Sequence, residues 1–175
     1  MFAPQDLVFY PAQGVGVIER IDHKDIGGAA CDFYIVRIRA NNCTLMVPVN
    51  NANNVGLRGL TPEEEARKLL DQLHGPADQP VFTGQNWNRR FREYTDRLKN
   101  PDLGVVTGVL RELLLISRAK DLSFGERRLQ EQAMSLVVGE LSAVLQEPED
   151  TLRDDLLAHY TPPPPPDGEN AAATA

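Results

Sequence analysis

The spacing of apolar residues changes once along the chain. Between positions 7 and 58 they fall in short runs rich in β-branched and aromatic side chains, at 7–10, 15–18, 33–39 and 44–49. Turn residues separate the runs: Pro11 and Gly14, then Gly27-Gly28, then Asn41-Asn42. Such runs predict about five short strands in roughly sixty residues, a small and strongly bent sheet or SH3-like barrel. A barrel of this kind rarely performs chemistry; it offers edges and grooves to peptides or partner strands.

From Thr61 onward the period is helical. Thr61-Pro62-Glu63-Glu64 predicts a start with Thr61 as N-cap, Pro62 in the first turn and Glu64 completing a capping box. That helix should span 61–74 and stop at Gly75-Pro76, with a polar connector over 75–84. A second helix follows Asn86 and ends at Asn100-Pro101, a pair that also opens the third. Val105, Val106, Val109, Leu110, Leu113 and Leu114 give the third helix an apolar face. Ser123-Phe124-Gly125-Glu126 is another capping box. It opens a long helix in which Leu129, Ala133, Val137, Leu141 and Leu145 keep a four-residue spacing. A last amphipathic helix is expected over 149–160, ahead of five prolines at 162–166. The expected fold is α+β: a Tudor-like barrel over 1–60, a C-terminal all-α helical domain over 61–160, and a disordered Pro-rich tail over 161–175.

A chain of 175 residues can bury roughly two thirds of its unfolded surface, so a true core is available. Two cysteines, Cys31 and Cys43, with no apolar leader and no membrane-length run, point to a reduced cytoplasmic protein without a membrane role. Both thiols are expected to be buried. The net charge of −7 argues against a nucleic-acid partner only if it is evenly spread. It is not: residues 140–175 hold eight acids and one base, which accounts for all of it. A separate basic face is therefore compatible with the composition, and at physiological salt the acidic end is screened beyond about 8 Å.

That basic face is expected over 85–99. Arg89, Arg90, Arg92, Arg97 and Lys99 stand against Glu93 and Asp96, around the only tryptophan, Trp87. Arginine forks match phosphate oxygens, and an indole can stack on a base or wedge between base steps. Against this, Trp87, Phe91, Tyr94 and Leu98 form one helical stripe, and periodicity by itself favours burying it. The place of Trp87 at the first turn, just past the candidate cap Asn86, points the other way. Arg127 and Arg128 sit in the first turn of the long helix, where cations oppose the macrodipole unless an anion lies nearby; a solvated face is the plain alternative.

Other signals are weaker. Gly14-Val15-Gly16 lacks the third glycine and the following helix of a dinucleotide site. Phe9, Tyr10, Phe33 and Tyr34 fit packing along strands better than an aromatic cage. The prolines at 162–166 could serve an aromatic-grooved domain, though a disordered end explains them as well. His23, His74 and His159 are scattered in sequence, with no metal-ligand spacing and no nucleophile motif. No enzyme activity and no cofactor are expected.

Several motifs in fixed order do resemble a known family. These are Val8-Phe9-Tyr10-Pro11 with Gly14, Val47-Pro48 before Val55-Gly56-Leu57-Arg58, Asn86-Trp87 with Arg89-Arg90, and Leu122-Ser123 with Gly125-Glu126. Together, to about Leu145, the chain resembles the CarD/CdnL group of bacterial transcription regulators, whose N-terminal module is shared with transcription-repair coupling factors. The resemblance implies a Tudor-like module docking on the RNA polymerase β subunit through positions matching Lys24, Ile26 and Met46. It also implies a helical domain that reaches promoter DNA at the upstream edge of the bubble, largely without reading sequence. There Trp87 would be a minor-groove wedge and Arg89, Arg90 and Arg92 phosphate clamps, in a protein expected to act as a monomer. Some family members have arginine where this chain has Lys24 and Met46. A protein-interaction adaptor with no DNA role, its tryptophan buried and its arginines merely solubilising, is the alternative.

Overall fold

A computed structural model describes residues 1–78, 84 and 86–164. Residues 79–83 of the expected 75–84 connector, Gln85, and the tail beyond Pro164 lie outside the described residues.

The first third is a five-stranded antiparallel sheet, in order β4-β3-β2-β1-β5. Its strands are β1 (Leu7–Tyr10), β2 (Gly14–Ile26), β3 (Ala29–Ile38), β4 (Thr44–Pro48) and β5 (Arg58–Gly59). The β2–β3 hairpin closes on Gly27-Gly28, where Ile26 faces Ala29. Both glycines have positive φ, 63° and 85°, the two-residue turn whose twist suits a hairpin. The Gly28 N–H donates to Asp25 Oδ1 at 2.9 Å. A register shift between Ile18 and Arg20 bends the long pair.

Five helices follow: α1 (Glu63–Leu73), α2 (Trp87–Leu98), α3 (Leu103–Ala119), α4 (Phe124–Leu145) and α5 (Glu149–Tyr160). Helix α3 is apolar over most of its circumference and occupies the centre, burying Leu103, Val106, Val109, Leu110, Leu113 and Leu114. Val105 is only half-buried. Helix α4 buries Leu129, Ala133, Val137 and Leu141.

Two cores form, and β1 feeds both. Val8 joins Ile18, Val36, Ile38 and Val47 inside the sheet module. Phe9, on the other face of the same strand, joins Val15 and the helices. This explains why β1 reads as a continuous apolar run without alternation. The two modules consequently share packed surface.

Three expectations need correction. Thr61 does not cap α1: Pro62 precedes the helix and no side chain caps it. Its N–H and hydroxyl both donate to Glu140 Oε1, at 2.8 Å each, because that wholly buried carboxylate needs donors more than the exposed first turn needs an acceptor. Helix α3 starts two residues later than expected, capped by Asp102, whose Oδ1 accepts from Gly104 N–H at 2.8 Å. Cys31 is half-buried and Cys43 exposed, since the first lies near the tip of the β2–β3 hairpin and the second in the turn before β4. His74 and His159, distant in sequence, are neighbours in the fold: their rings lie 5.3 Å apart, His74 Nε2 lies 2.8 Å from Asp155 Oδ2 and His159 Nε2 lies 2.8 Å from Gly75 O, which seats α5 on the end of α1. Among the described residues no group of three or more His, Cys, Asp or Glu is placed to hold a metal ion. No helix among them is long and apolar enough to cross a membrane.

Candidate nucleic-acid interface

Helix α2 begins as expected. Asn86 caps it, its side chain accepting from Asn88 N–H at 2.9 Å, so Trp87 occupies the first helical position. The helix is pinned to α3 by Tyr94 and Leu98, both buried, and by Arg97, whose Nη1 donates to Glu112 Oε1 at 3.0 Å. Burial, then the charge and hydrogen bond of Glu112, push the Tyr94 phenol up to about 12 against the lesser opposing pull of Arg90 and Arg97.

The buried face of α2 is Arg90, Tyr94 and Leu98, rotated from the expected stripe of Trp87, Phe91, Tyr94 and Leu98. Trp87 is half-buried and Phe91 is 41% exposed. Arg90, expected as a free phosphate clamp beside Arg89, is instead 9% exposed and turned into the packing. Its Nη2 donates to Glu126 Oε1 at 3.0 Å, while Nε and Nη1 are buried without a hydrogen-bond partner among the described residues. The guanidinium lies 5.3 Å from the centre of the indole, within range of a cation–π contact. The reason is Glu126: a carboxylate that is 2% exposed requires a cation, and Arg90 is one helical turn from Trp87 on the inward side.

Glu126 is the acidic member of the capping box that opens α4. Its Oε2 accepts from Ser123 N–H at 2.8 Å, and its own N–H donates to Ser123 Oγ at 3.2 Å. Lys120 Nζ stands 3.6 Å away. Burial by itself would raise this carboxyl's pKa. The Ser123 hydrogen bonds, the Lys120 ammonium and the Arg90 guanidinium outweigh it and lower the pKa below the ordinary 4.5.

The floor under the indole is Gly125. A Cβ built there would stand 2.8 Å from Trp87 Cζ2, so only glycine lets the ring lie this close to the first turn of α4. Phe91 flanks the ring at 5.6 Å between centres. Trp87 thus rests on a seat made by Gly125, Arg90 and Phe91, beside an open cleft of about 410 Å³ whose rim includes Lys120 and Ser123. This seat joins the two stretches singled out in the sequence, 85–99 and 123–128.

The other cations face solvent. Arg89, Arg92, Arg127 and Arg128 are exposed. Arg127 is steadied by its Nε donating to Leu122 O at 3.0 Å; Arg89 and Arg92 form no ion pair among the described residues. Sequence reasoning missed Gly125, Glu126 and Phe124 as parts of the site. Phe124 is 82% exposed, and the only signal for it was a large apolar residue inside a capping box, where nothing in the helix needs one.

The remaining predicted contacts lie in the sheet. Lys24 and Ile26 are on the outer half of β2 and Met46 is on the edge strand β4. They form one exposed surface: Lys24 Nζ is 3.8 Å from Met46 Sδ, Met46 is 47% exposed and Ile26 55%.

Comparison with known proteins bears on both modules. Residues 2–61 match the family model of the CarD-like/TRCF RID domain, and residues 68–156 match that of the CarD C-terminal domain. A relative from Bacillus subtilis (strain 168), "Putative transcription factor YdeB", is 25% identical over 145 residues, covering 82% of this chain and 92% of that protein. The solved structure of CdnLNt from Myxococcus xanthus is 39% identical over 34% of this chain and 83% of its own, with a TM-score of 0.30. The RID match implies an interaction with RNA polymerase and a transcription-related role. With both domain models matched in order across sheet and helices, the chain belongs to the CarD/CdnL family of transcription regulators.

Proposed function

We propose that this protein acts at transcription initiation, docking on the β subunit of RNA polymerase through the Lys24, Ile26 and Met46 surface and holding the open promoter complex at its upstream edge. Trp87 is the wedge. Arg89, Arg92, Arg127 and Arg128 contact phosphates, and Arg90 positions the indole instead of touching DNA. The observation that carries this reading is the seat: an indole half-buried on Gly125 and Arg90, flanked by exposed arginines.

A wedge must resist being pushed aside. Inserting a side chain between base steps costs a few kcal/mol on intact duplex and less at an already distorted junction, so it favours the open state. The equilibrium moves only by the difference in affinity for the two states. Weak and sequence-independent DNA contact suffices, because docking on polymerase supplies a high effective concentration.

The adaptor reading draws on one observation, the exposure of Phe91 beside Trp87 and of Phe124 at the start of α4, since exposed apolar side chains equally suit a protein partner. Open-complex decay with purified polymerase separates the two. The wedge reading expects Trp87→Ala to shorten the lifetime while polymerase binding is kept; the adaptor reading expects no change in lifetime.

A further inference from the structure

We infer that Arg58 and Glu140 set the angle between the sheet and the helical domain, and so fix where Trp87 stands relative to the Lys24, Ile26 and Met46 surface. The functional half of this inference rests on the reading above. The orientational half does not.

Strand β5 ends at Gly59 and α1 begins at Glu63, so the covalent joint between the modules is only a few residues long. A single polar cluster straddles it. Glu140, on α4, is 0% exposed. It accepts from Arg58 Nη1 at 2.7 Å and Nη2 at 2.9 Å, and from both donors of Thr61 at 2.8 Å. Three of these four donors converge on Oε1 and one reaches Oε2. Arg58 is used as fully: Nε donates to Pro101 O at 2.5 Å, Nη1 also to Gly59 O at 2.9 Å, and the guanidinium lies over the Phe9 ring at 4.3 Å. One side chain on β5 thereby touches β1, the joint, the α2–α3 turn and α4.

The shared apolar surface of Phe9 and Val15 with the helices supplies adhesion, but apolar burial is non-directional. The bidentate fork has a defined plane and spacing. It also reaches Pro101, the turn that follows α2, so the element carrying Trp87 is tied to the same reference point. A pair whose role was stability alone could be exchanged for packed apolar side chains at little cost; a pair that sets direction could not.

The test uses the 175-residue chain with Cys31→Ser and Gln132→Cys, spin-labelled at exposed Cys43 and at the introduced cysteine on the exposed side of α4. Pulsed EPR should give one narrow distance distribution. Arg58→Lys keeps the charge but loses the fork, and Arg58→Met keeps the volume; both should broaden the distribution. The gain in open-complex lifetime should then fall by on the order of tenfold, as pre-alignment of the second contact is lost, with polymerase affinity unchanged. A distribution equally narrow in both variants overturns the inference. Broadening with no loss of lifetime gain overturns its functional half. An unmutated protein that never lengthens the lifetime refutes the proposed function instead, and the distances alone then decide the orientational claim.

Discussion

Gly125→Ala places one methyl group beneath the only tryptophan in the chain. The new Cβ would stand 2.8 Å from Trp87 Cζ2, 3.6 Å from Cη2 and 3.7 Å from Cε2. Restoring the nearest approach to at least 3.4 Å moves the ring edge by about 0.6 Å. The backbone can stay in place, because the obstacle is the far end of a side chain whose outer side is an open cleft. Alanine favours the helix over glycine by up to about 1 kcal/mol, and crowding costs roughly 1–3 kcal/mol. The net change in stability is therefore expected within about 2 kcal/mol, less than about 8 °C in Tm for a chain of this length. What should change is the indole. Its emission should shift to the red and be quenched more readily by a neutral quencher, while thermal unfolding moves little. Open-complex lifetime should fall toward that of Trp87→Ala. A folded variant with unchanged emission and quenching would refute the seat.

Three further outcomes follow from named contacts. Because the Glu126 carboxyl lies below its ordinary 4.5 in the folded protein, its contribution to stability is fully present above that pH and is lost as the pH falls through the lower folded value; acid titration should report this as a Trp87 emission change that Glu126→Gln abolishes. Arg89→Ala and Arg92→Ala should each flatten the log–log salt dependence of DNA contact by about 0.9 without altering Trp87 emission, whereas Arg90→Ala should alter emission. Arg58→Ala leaves the wholly buried Glu140 carboxylate without its cation and should cost about 3–5 kcal/mol in urea unfolding.

What could be read in the chain were the features whose causes are local. The Ser123-to-Glu126 capping box, the Asn86 cap, the Gly27-Gly28 hairpin and the span of α5 depend on residues within a few positions of one another, and each is present. What escaped were choices made by partners distant in sequence. Thr61 has a sound local cap motif, yet a carboxylate 79 positions away takes both its donors. Arg90 is indistinguishable in composition from Arg89 and Arg92. It turns inward because Glu126, 36 positions on, is buried beside it. The same holds for Glu140, which counted among the acids of the C-terminal end and proves to be the most enclosed carboxylate between the modules. Charge tallies along a sequence do not distinguish a solvated acid from one that organises a joint. The aromatic stripe on α2 misled for a related reason: a cation with a buried partner took the inward face beside Tyr94 and Leu98, leaving Trp87 half-buried at the edge of the core and Phe91 exposed.

The most direct test of the central claim is the decay of open promoter complexes formed with purified RNA polymerase, measured with no added protein, with this protein, and with Trp87→Ala. Decay should be slower with the unmutated protein and close to the protein-free rate with Trp87→Ala, at equal polymerase occupancy. Equal slowing by both proteins would contradict it.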